Sequence, residues 1–217
     1  MREQKEMDFL KLYFILGSQD CLNRTPEETL ALAIEGGITC FQYREKGRST
    51  LGEIEKYELG KKLRELCGTH SIPFIVNDDL PLAIALDADG VHVGQDDENA
   101  KYVRETIGPN KILGVSTHTV EEGLQAVLNG ADYLGIGPMY PTISKADTEK
   151  QQSLDIFTEF RHAGISLPLV AIGGMNSTNG ETVMKSGANG LAIISDICRA
   201  SHIQEHTKLL RRLVDEF

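Results

Sequence analysis

Gln42, Arg44 and Lys46 alternate in the segment QYREK, so on an extended chain their three side chains leave on one face. Two cations and an amide on one face suit phosphate oxygens, Arg with a planar fork and Lys as a point charge. A solvated charged turn would read the same way if the segment stood alone. Two further segments, VNDD and GQDD, carry Asp78 and Asp97. Carboxylates beside phosphate-binding cations suggest Mg²⁺, which takes one or two protein carboxylates and fills its shell with phosphate oxygens and water. Asp79 and Asp96 are the weaker ligand candidates, because VNDDLP also reads as the cap of a following helix.

Two other regions can handle anions. The stretch Gly135–Ser153 has little helical or strand pattern and carries Thr142, Ser144 and Lys145, hydroxyls and a lysine able to close over a phosphate. We read residues 139–152 as an active-site lid; a plain surface loop is the alternative. AIGGMN precedes a helical segment, and Gly173 and Gly174 allow the close backbone approach that a phosphate site needs. His92 reads either as pocket lining or as a hydrogen-bonded core histidine, and His118 as a flanking residue. His202-Ile203-Gln204-Glu205-His206 matches the HxxEH pattern of inverted zinc peptidases, but it lies in the last helical segment with no third ligand near it.

The elements that must position these residues are visible as eight short apolar runs: 12–17, 40–45, 73–78, 90–95, 112–117, 133–138, 168–173 and 190–195. They are aliphatic without strict alternation, the pattern of strands buried on both faces of a parallel sheet. Helical patterns separate them. PEETLALAIEGG has Thr25 as N-cap and Pro26 at its first position, VEEGLQAVLNGA has Gly130 to stop it, and the helix between the third and fourth strands is very short. Eight strand–helix units in 217 residues predict an α/β fold, one (β/α)8 TIM barrel over residues 1–217, with an open doubly wound sheet as the alternative. In such barrels the chemistry sits at the carboxyl ends of the strands. That is where Gln42, Arg44, Lys46, Asn77, Asp78, Asp97, Ser116, His118, Gly174, Ile194 and Ser195 fall.

The chain carries 22 Lys plus Arg against 32 Asp plus Glu, a formal charge of −10, with no basic run. Non-specific nucleic-acid binding is therefore not expected. No stretch approaches the roughly 20 apolar residues of a membrane span, and the start lacks a signal-peptide pattern, so a cytoplasmic location is expected. Cys21, Cys40, Cys67 and Cys198 are irregularly spaced and read as reduced thiols. The sequence is compatible with a homo-oligomer and does not decide it.

Taken together, QYREK, VNDD, GVHVGQDD, GVSTHT, GIGPMYPTISK, AIGGM and GANGLAIIS resemble the thiamine phosphate synthase family across nearly the whole chain. The resemblance implies a (β/α)8 barrel transferase of thiamine biosynthesis. Such an enzyme joins hydroxymethylpyrimidine diphosphate to hydroxyethylthiazole phosphate with Mg²⁺ and releases pyrophosphate through a dissociative, carbocation-like step. It further implies that Arg44, Lys46, Asn77 and Lys145 hold the diphosphate and that Asp78 and Asp97 ligate Mg²⁺. Gln42 and Ser116 would contact the pyrimidine. Thr142 and Ser144 would reach the thiazole phosphate, with Gly174, Ile194 and Ser195 completing that pocket; Arg44, Lys46, Lys145 and Ser116 would carry the catalysis.

The chain departs from the family pattern in Ser144, where threonine is common, in a lid continuation ADTEKQQS without glycine, and in a first-strand ending GSQDC that is expected to matter little for mechanism. The competing functions are a thiazole tautomerase of the same fold, a non-catalytic thiazole-phosphate sensor, and another phosphate-pocket barrel, for which no acid–base pair is evident.

Overall fold

A computed structural model describes residues 8–21, 23–47, 51–142 and 150–217. Eight parallel strands close on themselves in chain order: β1 (Leu12–Leu16), β2 (Cys40–Tyr43), β3 (Phe74–Asn77), β4 (Gly90–Val93), β5 (Ile112–Thr117), β6 (Tyr133–Ile136), β7 (Leu169–Ala171) and β8 (Gly190–Ile193). The expected barrel is the observed one, and the open sheet is excluded because β8 pairs with β1, Tyr13 opposite Ala192.

Between the strands run α1 (Pro26–Gly36), α2 (Glu53–Thr69), α3 (Leu80–Ala85), α4 (Ala100–Ile107), α5 (Val120–Leu128), α6 (Ile156–His162) and α7 (Gly180–Lys185), followed by α8 (Ser195–Cys198) and α9 (Ile203–Asp215). Local chemistry sets their ends. The Thr25 hydroxyl accepts the Glu28 N–H and the Glu28 carboxylate accepts the Thr25 N–H, a reciprocal cap that starts α1 at Pro26. Gly37 ends the helix in the left-handed conformation at φ 97°, which a side chain would resist.

Strand residues divide between two apolar layers. Phe14, Leu16, Phe41, Tyr43, Phe74 and Val76 face the helices, whereas Tyr13, Ile15, Cys40, Ile75, Tyr133, Val170 and Ala192 fill the barrel. Burial on both faces is why the runs show no alternation.

At the amino ends of the strands one device recurs. The residue before each even-numbered strand accepts an N–H from the start of the strand before it, from the first residue of β1, β3 and β7 and from the second residue of β5. Thr39 accepts from Leu12 (2.8 Å), Asp89 from Phe74 (2.8 Å), Asp132 from Leu113 (2.8 Å) and Asn189 from Leu169 (2.9 Å). Arginines from α2, α4 and α6 hold three of these acceptors: Arg64 on Asp89 (3.1 Å), Arg104 on Asp132 (2.6 Å) and Arg161 on Asn189 (2.7 Å). This satisfies strand N–H groups that would otherwise be left unpaired at the barrel floor, and it locks each helix to its strand pair. Repetition of this device at the floor serves stability, which leaves the opposite end free for chemistry.

Candidate active site at the barrel mouth

The polar ends of the strands meet in one mouth. Strand β2 stops at Tyr43, but its ladder runs one bond further, Arg44 N–H to Leu16 O at 3.0 Å, so Gln42 and Arg44 share the inward face as the alternation predicts. Beyond the strand, Lys46 still reaches the mouth. Its ammonium donates to Asp78 Oδ2 (2.5 Å) and to Asp97 Oδ1 (2.8 Å). The two carboxylates, from the ends of β3 and β4, thus converge on one cationic group.

Their environments differ. Burial pushes the Asp78 carboxyl up to about 6, with Asp97 adding to the rise and Lys46 opposing it. Burial also works against ionisation of Asp97, but hydrogen bonds from Asp78, Lys46 and the Gly94 N–H hold it at about 2. Asp78 has a left-handed backbone, φ 60°, an uncommon state for a residue with a side chain and the kind of strain found at functional sites. Asp79 accepts the Leu82 N–H and caps α3, so of the two adjacent aspartates one caps and the other faces the mouth. A carboxylate pair already arranged around a cation fits a divalent metal that completes its shell with phosphate oxygens and water.

Two adjoining cavities share this mouth. The first is lined by Gln42, Arg44, Asn77, Ser116, Thr142, Gly174, Ile194 and Ser195. The second is lined by Arg44, Lys46, Asn77, Asp78, Asp97 and Ser116. Arg44, Asn77 and Ser116 belong to both, as do His92 and His118, so these residues form the wall where the two spaces meet. The Arg44 Nε is buried without a hydrogen-bond partner among the described residues, a donor in need of an acceptor.

In the first cavity Gly173 and Gly174 have φ of 89° and 65°. A Cβ on Gly173 would lie 2.6 Å from Pro138 Cβ, and one on Gly174 2.7 Å from Tyr140 Cβ. Only glycines let this turn pass beneath the β6 loop. That loop is anchored where it begins, through Met139 N–H to Ile172 O (2.9 Å) and Tyr140 N–H to Gly173 O (3.0 Å). Within the expected lid Thr142 lines the cavity; Ser144 and Lys145 lie outside the described residues.

Both readings of His92 hold at once. It is buried, lines the cavity and is hydrogen bonded at both ring nitrogens, to Tyr133 Oη and Ser116 Oγ at 2.9 Å each. His118 lines both cavities, its Nδ1 2.7 Å from Gly137 O. Among the described residues no three metal-type side chains cluster, and His206 of the HxxEH match has its Nε2 2.8 Å from Asp196 Oδ2, in a surface groove that shares Thr142, Gly174, Met175 and Ser195 with the first cavity.

Sequence reasoning missed two contributions. Tyr13 and Tyr133 join His92 inside the barrel, and the only available signal was two tyrosines within apolar runs. The second lies in GSQDC. Glu45, between the two cations, receives the Ser18 N–H (2.6 Å) and hydroxyl (2.8 Å), and Gln19 Nε2 donates to Arg44 O (2.8 Å). A Cβ on Gly17 would collide with Arg44 O. The first-strand ending, expected to be indifferent, is therefore bound to the segment that presents Arg44 and Lys46.

Fold and mouth define a (β/α)8-barrel enzyme acting on small molecules, a class in which phosphate sites sit at this end of the strands. The chain belongs to the thiamine monophosphate synthase family, whose pattern matches residues 12–197. It is 52% identical over 198 residues to the thiamine-phosphate synthase of Geobacillus kaustophilus, covering 91% of this chain and 88% of that one. It is 51% identical to the thiamine-phosphate synthase of Anoxybacillus flavithermus, covering 94% of each. Among solved structures, thiamine phosphate pyrophosphorylase from Pyrococcus furiosus superposes with a TM-score of 0.85 at 36% identity, covering 96% of this chain and 97% of the other. These relatives make the chain a thiamine-phosphate synthase by family, a transferase of thiamine biosynthesis. Among the described residues no helix is long and apolar enough to cross a membrane.

Proposed function

We propose that this barrel couples hydroxymethylpyrimidine diphosphate with hydroxyethylthiazole phosphate, and that Mg²⁺ is held by Asp78 and Asp97. The observation that carries the reading is the shared wall. A cavity rich in cations and carboxylates meets a glycine-lined cavity at Arg44, Asn77 and Ser116, so two anionic substrates in the two spaces would bring their reacting ends together.

In this reading the methylene C–O bond of the pyrimidine diphosphate breaks heterolytically and the diphosphate leaves with the electron pair. The thiazole nitrogen then donates its lone pair to the methylene carbon, giving thiamine phosphate and pyrophosphate. Arg44, Lys46, Asn77 and Lys145 bind the departing diphosphate. Its negative charge grows in the transition state, so the cations stabilise that state more than the ground state. Mg²⁺, when bound, neutralises diphosphate oxygens. Lys46, now paired with both carboxylates, would exchange part of that pairing for diphosphate oxygen. Gln42 and Ser116 orient the pyrimidine. Thr142, Ser144, Gly174, Ile194 and Ser195 receive the thiazole phosphate.

We read residues 1–217 as one barrel domain with a lid at 139–152 whose role is to exclude water, since water would otherwise capture the cation. A cytoplasmic setting belongs to the same proposal, supported by four cysteines that are all free thiols; a homo-oligomer is compatible with it. The test is a coupling assay with both substrates and Mg²⁺, following pyrophosphate and thiamine phosphate, with single-substrate controls. Product that requires both substrates is expected. Pyrophosphate release that ignores the thiazole phosphate would overturn the coupling.

A further inference from the structure

Inside the barrel five buried side chains form an unbroken hydrogen-bond chain. Gln42 Nε2 lies 2.9 Å from Tyr13 Oη, Tyr13 Oη 2.8 Å from Tyr133 Oη, Tyr133 Oη 2.9 Å from His92 Nδ1, and His92 Nε2 2.9 Å from Ser116 Oγ. Exposure runs from 0% at Tyr133 to 7% at His92, so the groups bond to one another and not to bulk water. The chain begins and ends on Gln42 and Ser116, both of which line the first cavity.

Proton counting gives the chain a direction. A phenol has one proton, and a neutral imidazole has one N–H. The Gln42 amide nitrogen can only donate, so the Tyr13 oxygen accepts; its own proton has two neighbours to choose from, the Tyr133 oxygen at 2.8 Å and the Cys40 sulfur, and goes to the oxygen, the stronger acceptor. The Tyr133 oxygen then accepts and spends its proton on His92 Nδ1. The imidazole proton must sit on Nε2, which donates to Ser116 Oγ. What remains is the Ser116 hydroxyl proton, aimed away from His92. Burial pushes both phenols well above their ordinary value, so both keep their protons throughout the working pH range.

We infer that Tyr13, Tyr133 and His92 are positioning residues that fix the hydrogen-bond polarity of the two recognising groups, making Ser116 a donor to a ring nitrogen of the ligand. The inference rests on the proposed reading that Gln42 and Ser116 face a pyrimidine. A neutral hydroxyl donor orients the ring without protonating it, which leaves in place the electron density that departure of the diphosphate draws upon. It also makes the site selective for an aminopyrimidine over the aminopyridine that carries C–H where Ser116 expects an acceptor, because the hydroxyl would then be buried unpaired.

The inference is tested on the ligand-free whole protein by ¹⁵N NMR of the histidine side chains, with His92→Gln to assign the signal. A single neutral His92 tautomer protonated at Nε2 is expected. A tautomer protonated at Nδ1, which corresponds to the reversed chain, or an imidazolium would overturn it. The second arm compares inhibition by hydroxymethylpyrimidine and its aminopyridine isostere. Wild type is expected to favour the pyrimidine by about tenfold, and Tyr133→Phe to lose most of that preference, with KM for the thiazole phosphate unchanged. A merely structural role for Tyr133 would change both substrates alike and leave the preference intact, which would sink the inference. An Nε2 tautomer in a wild-type protein that does not discriminate the two rings would leave the proton order standing and overturn the placement of the pyrimidine. If Tyr133→Phe does not fold, the wild-type tautomer and ring preference still decide the matter.

Discussion

Gly114 and Tyr133 occupy what would otherwise be one space. The two residues sit opposite each other in the β5–β6 ladder, and a Cβ on Gly114 would fall inside the Tyr133 phenol and against His92 Nδ1. The hydroxyl can reach the imidazole only because position 114 has no side chain. Gly114→Ala is therefore expected to push the phenol off His92 and to cost about 1–3 kcal/mol through overpacking. Thermal denaturation together with steady-state kinetics checks this. The expected pattern is a lower Tm with a raised KM for the pyrimidine substrate; an alanine variant with wild-type values of both would show that the contact is easily relieved.

The two carboxylates carry the metal prediction. Exhaustive chelation is expected to reduce turnover at least about tenfold, with recovery on adding Mg²⁺. Asp78→Ala or Lys145→Ala is expected to remove most turnover while shifting Tm little, because Asp78 lies at the mouth and not in the core. Full activity after chelation, or near-wild-type rates in either purified variant, would count against the assigned roles.

The Ser18–Glu45 contact yields a third expectation. Glu45 lines neither cavity and receives two hydrogen bonds from Ser18, so its neighbours Arg44 and Lys46 are presented by a pinned segment. Glu45→Ala should raise KM for the pyrimidine diphosphate by about five- to tenfold through misplacement of those cations. KM for the thiazole phosphate is expected to stay within about twofold. Equal effects on both substrates would point to general loosening of the barrel.

Much of this site was legible from the chain alone, and the reason is geometric. A parallel barrel strand buries both faces along its length and becomes polar only where it emerges, so Gln42, Arg44, Asn77 and Ser116 stand out at the ends of apolar runs. The helix start at Thr25 was equally readable, because a reciprocal cap is local in sequence. What could not be read was the interior side of each strand. Tyr13 and Tyr133 counted as apolar in runs without alternation, and they meet across 120 residues. Nothing in the local sequence singles out Arg64, Arg104 and Arg161, and only the closed barrel brings them beneath the strand that follows. The contact made by GSQDC was hidden for a related reason: its partner, Glu45, belongs to the next strand's loop, and nothing in either segment announces the pairing.

Cysteine reactivity offers a further check on the barrel interior. Burial raises the Cys40 and Cys198 thiols well above their ordinary range and pushes Cys67 up to about 12. At pH 8 these three are almost wholly protonated, and the protonated thiol is not the nucleophile. Native protein should therefore react slowly with a thiol reagent, with the half-buried Cys21 first, and all four thiols should appear on unfolding. A fast-reacting Cys67 in native protein would mean that α2 opens from the barrel.

The floor of the barrel gives the sharpest separation of stability from catalysis. Arg104 donates to Gly130 O (3.0 Å), Gly108 O (2.7 Å), Lys111 O (2.8 Å) and Asp132 Oδ2 (2.6 Å), and Asp132 in turn accepts the Leu113 N–H. One guanidinium thus ties α4, the turn before β5 and the turn before β6 together, at the end of the strands opposite the mouth. Arg104→Ala leaves three carbonyls and a carboxylate short of a donor, and a loss of about 2–3 kcal/mol is expected. That loss lowers Tm by roughly 5–10 °C for a chain of this size. Because neither cavity at the mouth contains any of these groups, kcat and both KM values measured well below the variant's Tm should match wild type. A large fall in kcat with unchanged Tm would mean that floor and mouth are coupled through β5, whose far end carries Ser116.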